Sequence, residues 1–470
     1  MPDFFYAILG VTLAAMPFIV AVLLAFGLVS LVVGLNASPV VGAIAILLLF
    51  LLETTLVYLL GLNLGITVYP QDLLFVPMAL VVLIRLGRPG AVKRIPRPLW
   101  VLTGMMALSF VVGLVQHGTS AGVEFRNDFY FITGVFYFSS FEWPAQRISR
   151  LLNWLFPVVL IIMLVVWYRW VADATDLDWV EPLWRYADAT GVPLRVVNAQ
   201  ETLLLGQALI LLIYAMAVGN SSGRWVFLVP LLALTVLVLQ HRTVWVATFL
   251  SALMAFVIVR QNQAKLARRL GLMVGLTALV LVPLLSTGKF NSATSSVTDL
   301  AAKATSTTGG TFVGRVQGWD ALLKQWGASG PRTWAIGNPY GSGFDRSTGP
   351  SGQDITYAPH DYYVQLLLRT GLIGLMAFIA LHWRLLRGAI RLGGAPHAAM
   401  TGYAMVGLLF SQLLFDIPYS PSYTHGLFLG IILGLLLQYE REGAEVGHAQ
   451  AAARHSTGLV VARPHEWKRT

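Results

Sequence analysis

The chain of 470 residues contains no cysteine. That excludes disulfides, thiolate nucleophiles and Cys-based metal sites. Charge is scarce too: Asp, Glu, Lys and Arg make up 11% of the chain, against about 25% in soluble domains. So few charges cannot solvate the surface of a soluble globule, and domain counts based on soluble proteins do not apply. The N-terminus, Met1-Pro2-Asp3-Phe4, lacks a basic region and an evident cleavage site, so no removable signal peptide is expected. No His-x-x-x-His pair or His/Asp cluster has ligand spacing, and no metal or other cofactor is expected.

Hydrophobic residues fill the remaining space. They are 56% of the chain, and the mean hydropathy is +0.70. A membrane span needs about 20 apolar residues, because the hydrocarbon core is about 30 Å thick. Candidate spans are 4–34, 39–60, 71–86, 98–115, 128–141, 151–170, 201–218, 225–239, 243–259, 270–285, 362–386, 398–415 and 422–438. The first run is long and holds Pro17, so it reads as one tilted helix or two short ones. The run 128–141 is short and aromatic, and it reads as an incomplete crossing. The expected fold is an all-α polytopic membrane protein of about 12 transmembrane helices with one large outer loop. The expected division is 1–285 for the first spans, 286–360 for the loop, 361–439 for the last spans and 440–470 for a polar, mobile tail.

The net charge of +10 is read as a topology signal, not as a nucleic-acid site. Basic residues at span ends collect on the cytoplasmic side. Arg85, Arg88, Lys93, Arg94 and Arg97 form one cluster. Arg260, Lys265, Arg268 and Arg269 form a second, and Arg384, Arg387 and Arg391 a third. Walking the spans puts all three on one face with Arg147, Arg150 and Arg224, so that face is assigned to the cytoplasm. The acidic segment with Asp173, Asp176, Asp178, Glu181 and Asp188 falls outside, as does the loop 286–360. That loop carries Lys289, Lys303, Arg315, Lys324, Arg332 and Arg346 against four aspartates. Cations on the unfavoured face fit an anionic ligand, or simply a long loop that translocates regardless of charge.

Several residues of this outer face could carry chemistry. Arg242 sits in a very short outer turn, where a guanidinium fork could grip phosphate oxygens or mark a helix end by snorkelling. Arg315 opens an amphipathic stretch with Val316, Trp319, Leu322, Leu323 and Trp326 near helical spacing. At a helix N-terminus it would share an anion with free backbone amides; otherwise it marks an interfacial surface helix. Gly337–Phe344 is glycine-rich without a Walker or Rossmann context, so it supports a tight turn near a ligand or a packed backbone. Gly371 and Gly374 indicate close helix packing. His360 directly precedes a span, and imidazole accepts and releases protons near neutral pH, although interfacial histidines are commonly structural. His241 and His425 also fall near the outer face. Glu53 lies within a span, and Asp416 ends one on the outer side, free to pair with an arginine or His360 or to cap its helix.

In this order and on this face, the residues resemble the O-antigen ligase/polymerase superfamily. Arg242 resembles the family arginine at a short outer turn. Arg315 with Trp319 resembles its arginine-then-tryptophan helix, and Gly341-Ser342-Gly343 the glycine turn that follows. His360, Tyr363, Gln365, Leu366, Gly371 and Gly374 resemble a His-x-x-Leu-Gln-x-Leu…Gly-x-x-Gly element. Asp416 falls where ligases carry a late aspartate. Two departures are Asp361, where many members have Asn or Ser, and Tyr363, at the usual leucine position. The likeness runs from about Arg242 to Asp416.

The resemblance implies a GT-C-like glycosyltransferase of the bacterial inner membrane with a periplasmic active site. Its donor would be an undecaprenyl-pyrophosphate-linked glycan and its acceptor a sugar hydroxyl of lipid A–core oligosaccharide. It implies inversion without a metal: Arg242 and Arg315 on the pyrophosphate, His360 as general base, and Asp416, Trp319 and Gly341 shaping the substrate site. An O-antigen polymerase and a protein O-oligosaccharyltransferase share this architecture and stand as alternatives. A transporter of lipid-linked glycans is the rival from another class; matching broken half-repeats are not evident in the sequence.

Overall fold

The computed structural model describes residues 26–55, 62–63, 67–89, 95–175, 196–218, 228–239, 241–258, 275, 311–348, 353–394 and 398–458. Of these, 84% are helical. Nearly all of the run 270–285, most of 4–34 and of the acidic segment, and Lys93, Arg94, Arg224, Arg260, Lys265, Arg268, Arg269, Lys289 and Lys303 lie outside the described residues.

In chain order the helices are α1 (Phe26–Ala37), α2 (Pro39–Thr55), α3 (Pro70–Leu86), α4 (Arg97–His117), α5 (Thr119–Ser139), α6 (Ala145–Thr175) and α7 (Ala199–Val218). They continue as α8 (Leu228–Val238), α9 (Arg242–Ile258), α10 (Thr311–Ala328), α11 (Pro331–Ile336), α12 (Tyr362–Gly394), α13 (Ala399–Phe415) and α14 (Tyr423–Gly458). Two small antiparallel hairpins that the sequence did not announce, β1 (Leu62–Asn63) with β2 (Thr67–Val68) and β3 (Arg346–Thr348) with β4 (Gln353–Ile355), lie between helices.

The sequence of α3 explains both its helix and its surroundings. Pro70 occupies its first turn, and the Tyr69 N–H donates to Asp72 Oδ2 at 2.8 Å. Leu74, Phe75, Met78 and Val81 are buried, while Leu73, Val76, Leu80 and Leu83 on the other side are exposed. A helix that is apolar on its outward face as well is solvated by lipid, not water. Arg97–His117, Ala145–Ala172 and Tyr362–Gly394 are long and apolar enough to cross a membrane. α1 and α2, bent by 119°, count as a fourth if they form one broken span, and four shorter apolar helices accompany them. The all-α membrane class therefore holds, while the described residues do not supply 12 full-length spans.

Three boundaries differ from expectation. The run 128–141 is part of a full 21-residue helix, Thr119–Ser139, so Asp128 lies mid-helix and buried. α14 stays helical through Gly458, well past position 439. α12 is not a straight rod. Gly371 has φ 63° and ψ −168°, and the Tyr362 ring lies 5.4 Å from that of Phe378. Sixteen residues of straight helix would separate those positions by about 24 Å, so the helix turns sharply at Gly371. A Cβ at Gly371 would sit 2.2 Å from the Ala335 carbonyl oxygen, which leaves room for glycine alone.

The two ends of the bundle are distinct. At one end Arg85 donates to Ser140 O, Trp143 N–H to Gln438 Oε1, and Arg384 and Arg441 pair with Glu440 and Glu142. This is the end where the sequence gathers Arg147, Arg150, Arg387 and Arg391. The other end is fixed by side-chain registers. His241 meets Val197, Gly206 meets Thr248 and Tyr214 meets Ala252, so α7 and α9 run in the same direction. Gln200 meets Ser420, Gln207 meets Ser411 and Tyr214 stacks near Tyr403, so α13 runs against them. Arg242 and Asp416 therefore share one end, opposite that of Arg85, Arg384 and Arg441.

Candidate functional site

The site forms where α10 lies beside the first turns of α12. Leu322, Phe344, Val364 and Leu368 make a small apolar cluster, with Trp319 and Trp326 packed against it. This seam explains the spacing of Val316, Trp319, Leu322 and Trp326: the tryptophans face protein as well as the interface. Burying each such side chain stabilises the seam by about 1.5–3 kcal/mol. The helix starts at Thr311, so Arg315 lies in its second turn and not among the first free amides.

Arg315 and His360 lie near enough for the charge of one to act on the other. The Arg315 guanidinium sits 5.6 Å from the Tyr419 ring. His360 is exposed, 5.5 Å from the Tyr357 ring. Lost hydration pulls its pKa below the usual 6.5, and the positive charges of Arg315 and Arg346 add to that effect. Its neutral, proton-accepting form is thus favoured at neutral pH. Arg346 is buried, donates to Phe344 O and Tyr357 O at 2.9 Å each, and fits against Gly318, where a side chain would crowd its Nε at 3.0 Å. Of the other loop cations, Lys324 is paired with Asp320 at 2.6 Å on the exposed side of α10.

Asp361 and Asp416 stand just behind His360. Asp361 Oδ1 accepts the Val364 N–H at 3.0 Å, which makes it the N-cap of α12. Asn and Ser fill that role equally well, a physical reason for their exchange at this position. Burial pushes the Asp361 carboxyl up to about 6. The Asp416 carbonyl accepts the Tyr362 N–H at 3.0 Å, and its carboxylate is fully enclosed. His425 Nδ1 accepts the Ser422 backbone N–H at 3.0 Å. A backbone amide can only donate, so the proton of His425 is on Nε2, which points at Asp416 Oδ1 from 3.7 Å.

The glycine turn is packed backbone. A Cβ at Gly341, φ 86°, would strike the Ala121 amide at 2.7 Å, and the Gly341 N–H donates to Glu124 Oε2 at 2.7 Å. Arg369, 2% exposed, pairs with Glu124, donates to Ser342 Oγ at 2.6 Å and Gly343 O at 2.7 Å, and lies 4.0 Å from the Phe344 ring. Asp128 accepts from Tyr340 at 2.8 Å and Tyr362 at 2.9 Å. Trp319 and Gly341 thus contribute shape, Trp319 in the seam and Gly341 in the turn. Arg242 opens α9 at the same end, half-buried, beside His241, whose Nε2 lies 3.0 Å from Val197 O. Helix α9, which it opens, packs against α7 and α13. Glu53, within α2, hydrogen-bonds Tyr423.

Sequence reasoning passed over Arg369, Asp128 and Glu124. All three are charged residues inside apolar helices, a signal that marks function or buried pairing by default. Arg346 was visible only as loop charge; its burial and its closeness to His360 depend on folding.

Fold and site together define a multi-pass helical membrane protein with an arginine–histidine–aspartate cluster at the end opposite its basic span ends. Residues 227–379 match the model of a family described as O-antigen ligase. That segment is similar to the O-antigen ligase superfamily, whose members are glycosyltransferase-like enzymes. The matched segment includes Arg242, Arg315, Trp319, Gly341 and His360 and stops before Asp416. No curated protein matches the chain.

Proposed function

We propose that the protein transfers a glycan from undecaprenyl pyrophosphate to lipid A–core oligosaccharide at the periplasmic face of the bacterial inner membrane. The observation that supports this reading is that Arg315 lies 5.6 Å from the Tyr419 ring while the start of α12, next to His360, is tied to Asp416 by the Tyr362 N–H at 3.0 Å. The acceptor hydroxyl oxygen attacks the anomeric carbon from the side opposite the leaving group. The bond from that carbon to the pyrophosphate oxygen breaks, and its electrons stay with the lipid pyrophosphate. His360 takes the hydroxyl proton. Arg315 and Arg242 oppose the charge that grows on the leaving group, an effect largest in the transition state. Asp416, whose backbone carbonyl accepts the Tyr362 N–H, orients the site.

The test is transfer by purified protein from lipid-pyrophosphate glycan to lipid A–core. Capped core supports a ligase, and loss of capping is expected for Arg315→Gln and His360→Ala. Donor chains that lengthen with no capped core assign a polymerase. Glycan moved onto added acceptor protein assigns an O-oligosaccharyltransferase. Movement of lipid-linked glycan across vesicles with no new glycosidic bond assigns a transporter, and the enzyme reading then fails.

A further inference from the structure

A half-open cavity of about 310 Å³ lies between the C-terminal half of α10, the glycine turn and the Leu368–Arg369 step of α12. We propose that it is a subsite for one sugar ring of the glycan, set away from the reaction centre and selective for hydroxyls over phosphate. This deepens the reading above and rests on it for the identity of the ligand.

The cavity has two kinds of wall. Trp326 and Phe344 supply aromatic surface, while Gln325, Asn338, Ser342 and Asp345 supply hydrogen-bonding groups. Two of these polar groups are unused. Asn338 engages its neighbours through its backbone, with N–H to Leu368 O and its carbonyl accepting from Ser109. Among the described residues its side-chain amide has no hydrogen bond. Asp345 accepts from Gln325 through its backbone carbonyl, and its carboxylate is likewise uncommitted. Donors and acceptors opposite an apolar wall suit a ring with hydroxyls at its edge and C–H groups on its face.

Charge separates this cavity from the site at His360. Among the described residues Arg369 is its one cation, and that guanidinium is already neutralised by Glu124 and engaged with Ser342 and Gly343. Asp345 leaves the rim acidic. A pyrophosphate would be repelled here and drawn to Arg315. The turn that presents these groups is rigid, because Tyr340 is tied to Asp128, Gly341 to Glu124 and Gly343 to Arg369. A rigid wall limits the ordering cost of binding.

The cavity also lies in line with the reaction centre. Arg315 and Trp326 are eleven residues apart, so at about 100° per residue they return to one face of α10, roughly 16 Å apart along its axis. The volume sits at the small end of the roughly 300–1,000 Å³ range of ligand pockets. It suits one ring of a chain whose reacting end is at His360, not a separate large ligand.

The experiment compares wild type with Asn338→Ala and Asp345→Ala, whose side chains hold no hydrogen bond among the described residues. Initial rates are measured with donor and acceptor each carrying either a single sugar or an extended oligosaccharide. The expected result is a KM raised about tenfold for one extended substrate, roughly one hydrogen bond's worth of affinity, with the single-sugar pair unchanged. Equal effects at both lengths, or none at either, overturn the subsite. Should wild type transfer nothing, the proposed function fails and binding decides the subsite. Neutral oligosaccharide released by mild acid from the host's lipid-linked glycan is then titrated against the detergent-purified proteins. Saturable binding weakened by Asp345→Ala supports the subsite, and no binding to wild type, or equal binding to both, overturns it.

Discussion

At one end of the bundle, Arg441 meets Glu142 at 2.7 Å and Arg384 meets Glu440 at 3.3 Å, all four side chains between 39% and 61% exposed. At the other, Arg369 meets Glu124 with 2% and 14% exposure, and Asp128 and Asp416 are enclosed. The first end keeps its charges in contact with solvent and headgroups, where pairing contributes little and the sign of the charge sets orientation. The second end takes several charges out of water, where the loss of a partner is costly. A reaction that depends on two guanidiniums and an imidazole at set distances belongs where geometry is fixed. Under the proposed function, topology is the business of one end and chemistry of the other.

The largest test of that contrast is Arg369→Ala. It strands the Glu124 carboxylate, frees Ser342 and Gly343 O and uncovers Phe344. Breaking a buried pair by removing one partner costs about 3–5 kcal/mol. The detergent-purified variant should melt well below wild type or fail to accumulate. An unchanged melting temperature would mean that the glycine turn is held by something else.

The second test reads the electrostatics at His360. Lost hydration and the charges of Arg315 and Arg346 lower its pKa. As general base it must be neutral, so transfer should fall as pH drops through a midpoint below the usual 6.5. His360→Ala should remove about 100-fold or more of the rate and flatten that acid limb. Arg346→Met removes one repelling charge, so the limb should move to higher pH, toward 6.5. Movement to lower pH would contradict the assigned sign, and a limb retained in His360→Ala would locate the base elsewhere.

How much of this was legible beforehand differs between the same two regions. The basic span ends were legible, because a charge rule that needs no tertiary contact governs them. Arg315, His360 and Asp416 were named from residue type, order and likeness to a family, and their shared end followed from counting spans. Asp128 was misread because Phe129, Tyr130 and Phe131 after it made the apolar run look as if it began there. The polar first turns of α5, with Glu124 and Arg126, concealed a helix that starts at Thr119. The turn inside α12 was not legible either. Leu372 and Ile373 continue the apolar pattern through Gly371, and nothing local shows that Ala335 occupies the space beside it. Contacts between residues far apart in the chain decide these points, and composition does not record them.

Gly371→Ala isolates that turn. The new Cβ meets the Ala335 carbonyl, and alanine at φ 63° is strained. The expected cost is about 1–3 kcal/mol. Since the turn sets how far Tyr362 and His360 are from the spanning part of α12, activity should fall more than melting temperature does. Equal, small losses in both would show that His360 is positioned by the Asp361–Asp416 contacts alone.

The smallest effect is expected from Arg441→Ala, and its size makes the comparison sharp. The Arg441–Glu142 distance of 2.7 Å is shorter than many strong ion pairs, so geometry alone would predict a large loss. Exposure argues otherwise: solvent screens both groups, and such pairs contribute about 0.2–1 kcal/mol. Salt separates the two accounts. Raising ionic strength from about 0.1 M to about 1 M shortens the screening length from about 10 Å to about 3 Å. The melting difference between wild type and Arg441→Ala should then shrink toward zero, while that of Arg369→Ala should hardly change. If Arg441→Ala proved as costly as Arg369→Ala and equally indifferent to salt, both ends would be built from buried charge, and the assignment of chemistry to one of them would lose its electrostatic basis.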